Sequence, residues 1–300
     1  MPNPISRRTV IAGTPALAGA ALLAAPAAAG TRRLNRDLAD PANRARVRAR
    51  IIGSCHAETT FAFFRLNIYG FTGDGNLIPF FTLNNLQIGQ WSPLPDGTYA
   101  NRTLESGVYC RFDTDEPLDT WDNPLTGERR KVWHFRGGPF SVTIGPDGVV
   151  TRGADLAPKT LRMEELGGMV FVPTAASAAF PNPANPETWP KLSSGRTIFW
   201  ESHATYAAKA EDAFNEDLGS APAFLQFQNL ASWQPWMAMA GRPGRTWGKA
   251  HGAKLATLDQ LPAAARKSFE AKTPDIFEWR NWSKPHNDIM DYLATQTPPG

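Results

Sequence analysis

Between Ala57 and Val150 the chain runs as short aromatic and β-branched segments cut at close intervals by turn signals. Thr72-Gly73-Asp74-Gly75 follows the apolar run Phe61 to Tyr69; Pro95-Asp96-Gly97, Asn123-Pro124-Leu125-Thr126-Gly127 and Gly145-Pro146-Asp147-Gly148 punctuate the rest. Short runs ended by tight Gly- and Asp-bearing turns have one simple solution, hairpin after hairpin in an antiparallel sheet. Further strands are expected over Leu161 to Pro173 and Arg196 to Lys209, on either side of a Pro- and Asn-rich loop from Asn182 to Pro190. Phe224 to Met239 reads as a strand followed by a turn, because its apolar residues lack helical spacing. Three helices are expected. The first runs from Asp37 to Ile52, with Asp40-Pro41 near its start, Gly53 as its stop and its arginines facing water; the others are Pro262 to Lys272 and Asn287 to Ala294. The predicted fold class is mainly β (β-rich α+β): a single antiparallel β-barrel-like domain over residues 30–300 with a few peripheral helices, the last two closing an open end or face.

Ahead of this domain, Ile5-Ser6-Arg7-Arg8-Thr9-Val10-Ile11-Ala12 leads into a mild apolar run to Ala29 that contains no acid. The segment resembles a twin-arginine export signal over residues 1–29. Pro15, Pro26 and Ala27-Ala28-Ala29 suit a cleaved segment better than a stable membrane anchor. The mature protein is therefore expected in the periplasm or outside the cell, with the twin-arginine translocase as its partner during export. Removing Arg7 and Arg8 from the 31 basic residues leaves 29 against 28 acids, a balance that argues against a nucleic-acid partner. Two cysteines, Cys55 and Cys110, remain in the mature chain, and an oxidising compartment permits a bridge between them; the alternative is two separate buried thiols.

Several segments, taken in order, resemble the bacterial and fungal family catalogued as domain of unknown function 1838. They are Phe64-Arg65-Leu66-Asn67-Ile68-Tyr69-Gly70, Trp121 to Glu128 running into Val132-Trp133-His134, Trp200-Glu201-Ser202-His203, Pro235-Trp236-Met237 and Asp275 to Arg280. The resemblance implies fold unity and export. It carries over no catalytic residue.

Candidate chemistry rests on residues two apart in strands, which share a face. Glu201 and His203 form one such pair, a carboxylate able to orient an imidazole as a general base. His134 and Arg136 form another, and Asp113 and Asp115 a third, although the latter also reads as an exposed Asp-rich turn. Metal-ligand spacing such as His-Glu-x-x-His is absent from the sequence, as are a nucleophile elbow, a phosphate loop and a dinucleotide fingerprint. The leading expectation is an exported, cofactor-independent lyase or isomerase acting on a small, mostly apolar molecule. In it His203, positioned by Glu201, abstracts a proton, His134 or Tyr206 donates one, and Arg136 stabilises an oxyanion; Trp133, Trp200, Trp236 and Asp113 complete the substrate pocket. The alternative is a lipocalin-like binding protein for an apolar ligand, and a third reading is a metal-dependent hydrolase. The first two differ in whether ionisable pairs line the cavity, since burying charge costs a carrier stability and serves a catalyst.

Overall fold

The computed structural model describes residues 34–150, 161–281 and 286–296, with the side chains of 286–288 excepted. Helix α1 (Pro41–Ile52) precedes a meander of three long strands, β1 (Thr59–Phe71), β2 (Leu77–Pro93) and β3 (Tyr99–Cys110). A small hairpin, β4 (Thr120–Asp122) and β5 (Arg129–Lys131), leads into β6 (Phe135–Gly145) and β7 (Gly148–Val150). Next come β8 (Glu164–Leu166), β9 (Met169–Pro181), β10 (Thr197–Lys209), α2 (Ala210–Ala213), β11 (Phe224–Ala231) and β12 (Arg245–Leu255). The chain ends in α3 (Ala263–Lys272), a 3-10 segment over Pro274–Asn281, β13 (His286–Asn287) and α4 (Asp288–Ala294).

The strands other than β4 and β5 join one antiparallel sheet in the order β13-β6-β3-β2-β1-β12-β11-β10-β9-β8, with β7 beside β6. β1 is central, paired along its length with β2 on one side and β12 on the other. The sheet curls into a half-barrel, so the expected β-rich, barrel-like class is what forms. Alternation along the strands separates two faces. On β1, Phe64, Leu66 and Ile68 point inward to the hollow, while Phe63, Arg65 and Asn67 point outward. Outward Phe63, Leu86, Ile88, Leu104 and Val108 are covered by Leu261, Ala265, Phe269, Ile276 and Trp279. Thus α3, with the 3-10 segment, sheathes part of the outer face instead of closing the barrel, while α4, the other helix expected to do so, places Tyr292 and Leu293 in the cluster that holds Phe81, Trp121 and Trp236.

The element that closes the hollow at one end is α1. Asp40 caps it, accepting from the backbone N–H groups of Ala42 and Asn43, and the N–H of Gly53 returns to the Ala49 carbonyl. Its Val47 and Ile51 pack with Val170, Val172 and Ala208 of β9 and β10. Its Ala45 and Ala49 pack with Trp91, Tyr99 and Ile144 of β2, β3 and β6. The helix therefore spans the two margins of the curled sheet. This reverses one expectation, because Arg48 and Arg50 are buried. Arg50 donates from Nε to the Leu218 carbonyl at 2.6 Å and from Nη1 to the Ala213 carbonyl at 2.8 Å. The guanidinium thus supplies donors to carbonyls that the short α2 turn and the following loop leave unpaired.

The other end is filled by aromatic rings. Trp121 and Trp236 meet edge to face at 5.7 Å, and Phe81 lies 4.9 Å from Tyr109 and 5.5 Å from Trp121. The Trp121-to-Glu128 segment is a turn with a buried purpose. Asn123 is 1% exposed, accepts from the Leu125 N–H and donates to the Met237 carbonyl at 3.0 Å, which ties the β4–β5 hairpin to the Pro235–Met237 turn.

Cys55 and Cys110 are both free and buried, so the permitted bridge does not form. Parity explains it. Cys110 stands opposite Thr82 and joins the outer cluster under α3, whereas Cys55 packs inside with Trp91 and Tyr99 beneath α1. Burial, with Asp115 adding to it, pushes the Cys110 thiol up to about 12, leaving it an inert packing group.

Candidate functional site

Glu201 and His203 share a face, as their spacing requires, but it is the outer face, and both are exposed. The neighbours of His203 in register, Gln228 and then Lys249, are exposed too, while Glu201 stands opposite half-buried Leu230. His134 and Arg136 lie elsewhere. Arg136 stands opposite outward-facing Ser106 and pairs with Asp275 of the 3-10 segment at 2.8 Å. His134 accepts from the Tyr109 N–H at Nδ1 (3.2 Å). Burial, reinforced by the nearby Lys272 cation, brings its pKa down to about 4, so the ring is neutral. Between β3, beside which His134 and Arg136 sit, and β10 there are five inter-strand steps, roughly 24 Å on a flat sheet and more along a convex one. The two pairs therefore do not converge. Asp113 is exposed in a turn with φ of 59°, its N–H donating to Thr82 Oγ1, while Asp115 receives a two-toothed contact from Arg65 and a bond from Asn84. Trp236 is in the aromatic plug, and Trp133 packs on Tyr292 at 5.8 Å beside it.

Tyr206 is different. Register puts it opposite Leu225 on the inner face of β10, in the alternate set that also holds half-buried Trp200. It is half-buried and packs against both the cluster under α1 and the Phe64–Ala204–Leu225 cluster. Desolvation raises its pKa to about 12, and the Glu105 carboxylate adds to the shift. Glu105 is on β3, across the hollow. Only the curl of the sheet brings these two strands' inner residues within electrostatic reach.

The lining can be read as rows across the sheet. One row carries Lys254, Ala62, Gln87 and Glu105 on β12, β1, β2 and β3, with Gln87 Nε2 donating to Glu105 Oε1 at 2.5 Å. The next carries Tyr206, Leu225, Gly252, Phe64 and Asn85. A third carries Ala204, Phe227, Ala250 and Leu66, and the Phe64 and Phe227 rings lie 5.7 Å apart between the rows. Polar groups thus cluster toward the α1 end and apolar ones toward the aromatic plug. Lys254 sits where β12 meets α1, its Nζ donating to the carbonyls of Arg50 (2.9 Å) and Gly53 (2.6 Å). Burial lowers its pKa to about 7, against the pull of Glu58 and Cys55.

Asn85, Gln87, Glu105 and Lys254 had escaped notice in the sequence. The available signal was a polar residue at an inward position of an otherwise apolar strand, as in Phe80-Phe81-Thr82-Leu83-Asn84-Asn85-Leu86-Gln87-Ile88. A concavity of about 560 Å³ lies over β2, β3 and β6; among its lining residues only Arg102 is ionisable. Among the described residues no three His, Cys, Asp or Glu stand together in a way that could hold a metal ion.

The family described as protein of unknown function (DUF1838) matches residues 57–291, from the start of the meander into α4. The chain belongs to that family. The residues of the three rows named above all lie within the matched span. No curated protein matches it. Among solved structures, the crystal structure of MucB in complex with MucA(peri) aligns over 75% of this chain and 96% of that one, at 10% identity and a TM-score of 0.12, a likeness too slight to bear on fold or function.

Proposed function

We propose that this member of the DUF1838 family binds a small, mostly apolar molecule in the hollow of its curled sheet, acting as a binding protein and not as a lyase or isomerase. The observation that carries the reading is the half-buried Tyr206 on the inner face of β10, within electrostatic reach of Glu105 on β3, beside Phe64, Leu225, Phe227, Ala204 and Ala250. A largely apolar concavity with few convergent polar groups is the usual form of a small-molecule site. Acid–base catalysis near neutral pH gains little from these groups. A phenol with a pKa of about 12 serves as a hydrogen-bond donor, not as a proton source, and the neutral His134 has its Nδ1 engaged by the Tyr109 N–H. The metal-dependent reading gains no support from the arrangement of ligating side chains.

The proposal is tested by titrating the protein with the neutral fluorescent probe N-phenyl-1-naphthylamine. Saturable binding to the wild type, lost in Ala250→Trp, which fills the hollow, and kept in the outer-face variant His203→Ala, is the expected result. Absence of saturable binding, or binding indifferent to Ala250→Trp, overturns it. The proposal includes export to the periplasm or beyond by the segment 1–29, which lies outside the described residues. Replacing Arg7 and Arg8 by Lys should hold precursor in the cytoplasm, and secreted protein should begin near Gly30. Unchanged export of the double variant refutes that part alone.

A further inference from the structure

β9 pairs with β10 along its whole length, from Met169 to Pro181, but with β8 only over Met169 to Phe171. Beyond Phe171 no described strand lies on its other side. Which backbone groups face that open side follows from contacts made toward β10. The Ala210 N–H donates to the Gly168 carbonyl, the Thr174 hydroxyl to the Ala204 carbonyl, and the Asn182 N–H to the Arg196 carbonyl. Backbone groups alternate in direction along an antiparallel strand. Even-numbered residues of β9 therefore bond to β10, and the odd-numbered Pro173, Ala175, Ser177, Ala179 and Pro181 present their N–H and C=O groups outward. Proline has no N–H to give a ladder and belongs on such an edge; both prolines fall in the outward set. The open edge thus offers the N–H groups of Ala175, Ser177 and Ala179, framed at each end by a proline. Thr174 to Phe180 carries no charged side chain, no bulge interrupts its register with β10, and Phe180 is 43% exposed. Natural edges are usually guarded by charges, bulges or a covering element, and an edge without them is a template for another strand.

The spacing of the prolines says which strand fits. Ser177 lies midway between Pro173 and Pro181, so the edge is symmetric about it. Set antiparallel to a second copy of itself with Ser177 on the two-fold axis, it places Ala175 opposite Ala179 of the other copy and Pro173 opposite Pro181. Every outward N–H then meets a carbonyl, and the positions that lack a donor meet one another. Sliding the copies by one step of the ladder instead puts a proline against Ala175 or Ala179 and leaves a carbonyl there without a donor. On the other face of the strand the exposed Phe180 ring falls opposite Thr174 of the second copy and diagonal to its Ala176, an apolar contact between small side chains. Charge does not oppose the pairing. Glu201, opposite Ser177 on β10, lies three inter-strand spacings from its own counterpart, about 14 Å, beyond the Debye length of about 8 Å at physiological ionic strength.

We infer that the protein pairs with a second copy of itself through the open edge of β9, the two curled sheets joining into one across a two-fold axis at Ser177. Such a contact is self-complementary, the same patch serving both copies. Confined to Pro173 to Pro181, it is smaller than an obligate interface, so the pair forms reversibly.

Sedimentation velocity of the purified protein over a rising concentration series should show a reversible monomer–dimer equilibrium. Ser177→Pro removes an outward N–H and leaves the ladder with β10 intact; it should weaken association at least about tenfold. Ser177→Lys sets two ammonium groups against each other on the axis and should also weaken it, part of the loss being regained as salt is raised. A single thiol reads the register. Ser177→Cys should be joined to its copy by a short bifunctional methanethiosulfonate, because opposed residues in a bonded pair have Cα atoms about 5.5 Å apart. Ala175→Cys, about 14 Å from its own counterpart, should not be joined, and the buried Cys55 and Cys110 do not compete. A monomer at every concentration, the result if a strand of another protein or another segment of this chain fills the edge, overturns the inference. So does a dimer unaffected by the Ser177 variants, or equal cross-linking of Ala175→Cys and Ser177→Cys. If Ser177→Pro does not fold, Ser177→Lys and the cross-linking pair decide the question.

Discussion

Two buried ionisable side chains each make the protein more stable as pH rises, over different ranges. Lys254 has a folded pKa of about 7 against an ordinary value of 10.5. The unfolded chain therefore holds a proton that the folded protein has released between those values, and stability from this group rises as pH increases from about 7 toward 10.5. Melting temperatures followed from pH 7 to 10 should climb more steeply in the wild type than in Lys254→Met; parallel curves would refute the assignment. His134 is also depressed, to about 4 from 6.5, so its contribution is complete above 6.5 and is lost as pH falls toward 4. The same melting experiment with His134→Gln should show a flatter acid limb. Glu201 and His203 illustrate what sequence spacing can and cannot say. Their common face was legible, but alternation along β10 sets Glu201 and His203 against Trp200, Ser202, Ala204 and Tyr206, and the charged set of a sheet open on one side faces water. Lys254 could not be read at all, because its partner Gly53 is 201 residues away along the chain.

Among the elements, the strands were the most legible, since hairpin turns are local and each carries its own Gly or Asp signal. The meander from Phe61 to Cys110, the strand and turn over Phe224 to Met237, and the last two helices all form near their expected positions. What the helices do was not legible. The arginine-rich α1 reads as a solvent helix until the carbonyls of Ala213 and Leu218 are placed beside it, and α3 reads as a lid until register shows which face of β2 and β3 is outward. The β4–β5 hairpin offers a direct check on the worth of a single buried side chain. Asn123→Ala removes the bond to the Met237 carbonyl and leaves that acceptor orphaned in the aromatic plug. The expected cost is about 1 to 3 kcal/mol in chemical denaturation. A cost below about 0.5 kcal/mol, typical of a surface change, would show that the turn is not anchored there.

At the scale of the whole molecule, a sheet that curls without closing needs something else to hold its margins in place. Here α1 packs on β2, β3 and β6 at one margin and on β9 and β10 at the other, and the aromatic plug fills the opposite end. The space between these closures is the proposed binding region, and its polar wall comes from strands far apart in sequence, β3, β10 and β12. That is why the lining was hidden in the sequence while the strands were not. The placement of α1 also sets the order of events during synthesis. The helix leaves the ribosome before any strand, yet Arg50 reaches a carbonyl partner 168 residues further on. Contacts of such separation form late, because the intervening chain must be ordered before they reward the closure. A nascent chain that has emerged only as far as β9 lacks both carbonyl partners of Arg50 and carries two arginines with nowhere to be buried. Seating Arg50 in its native place thus requires the chain to have been made at least through Leu218.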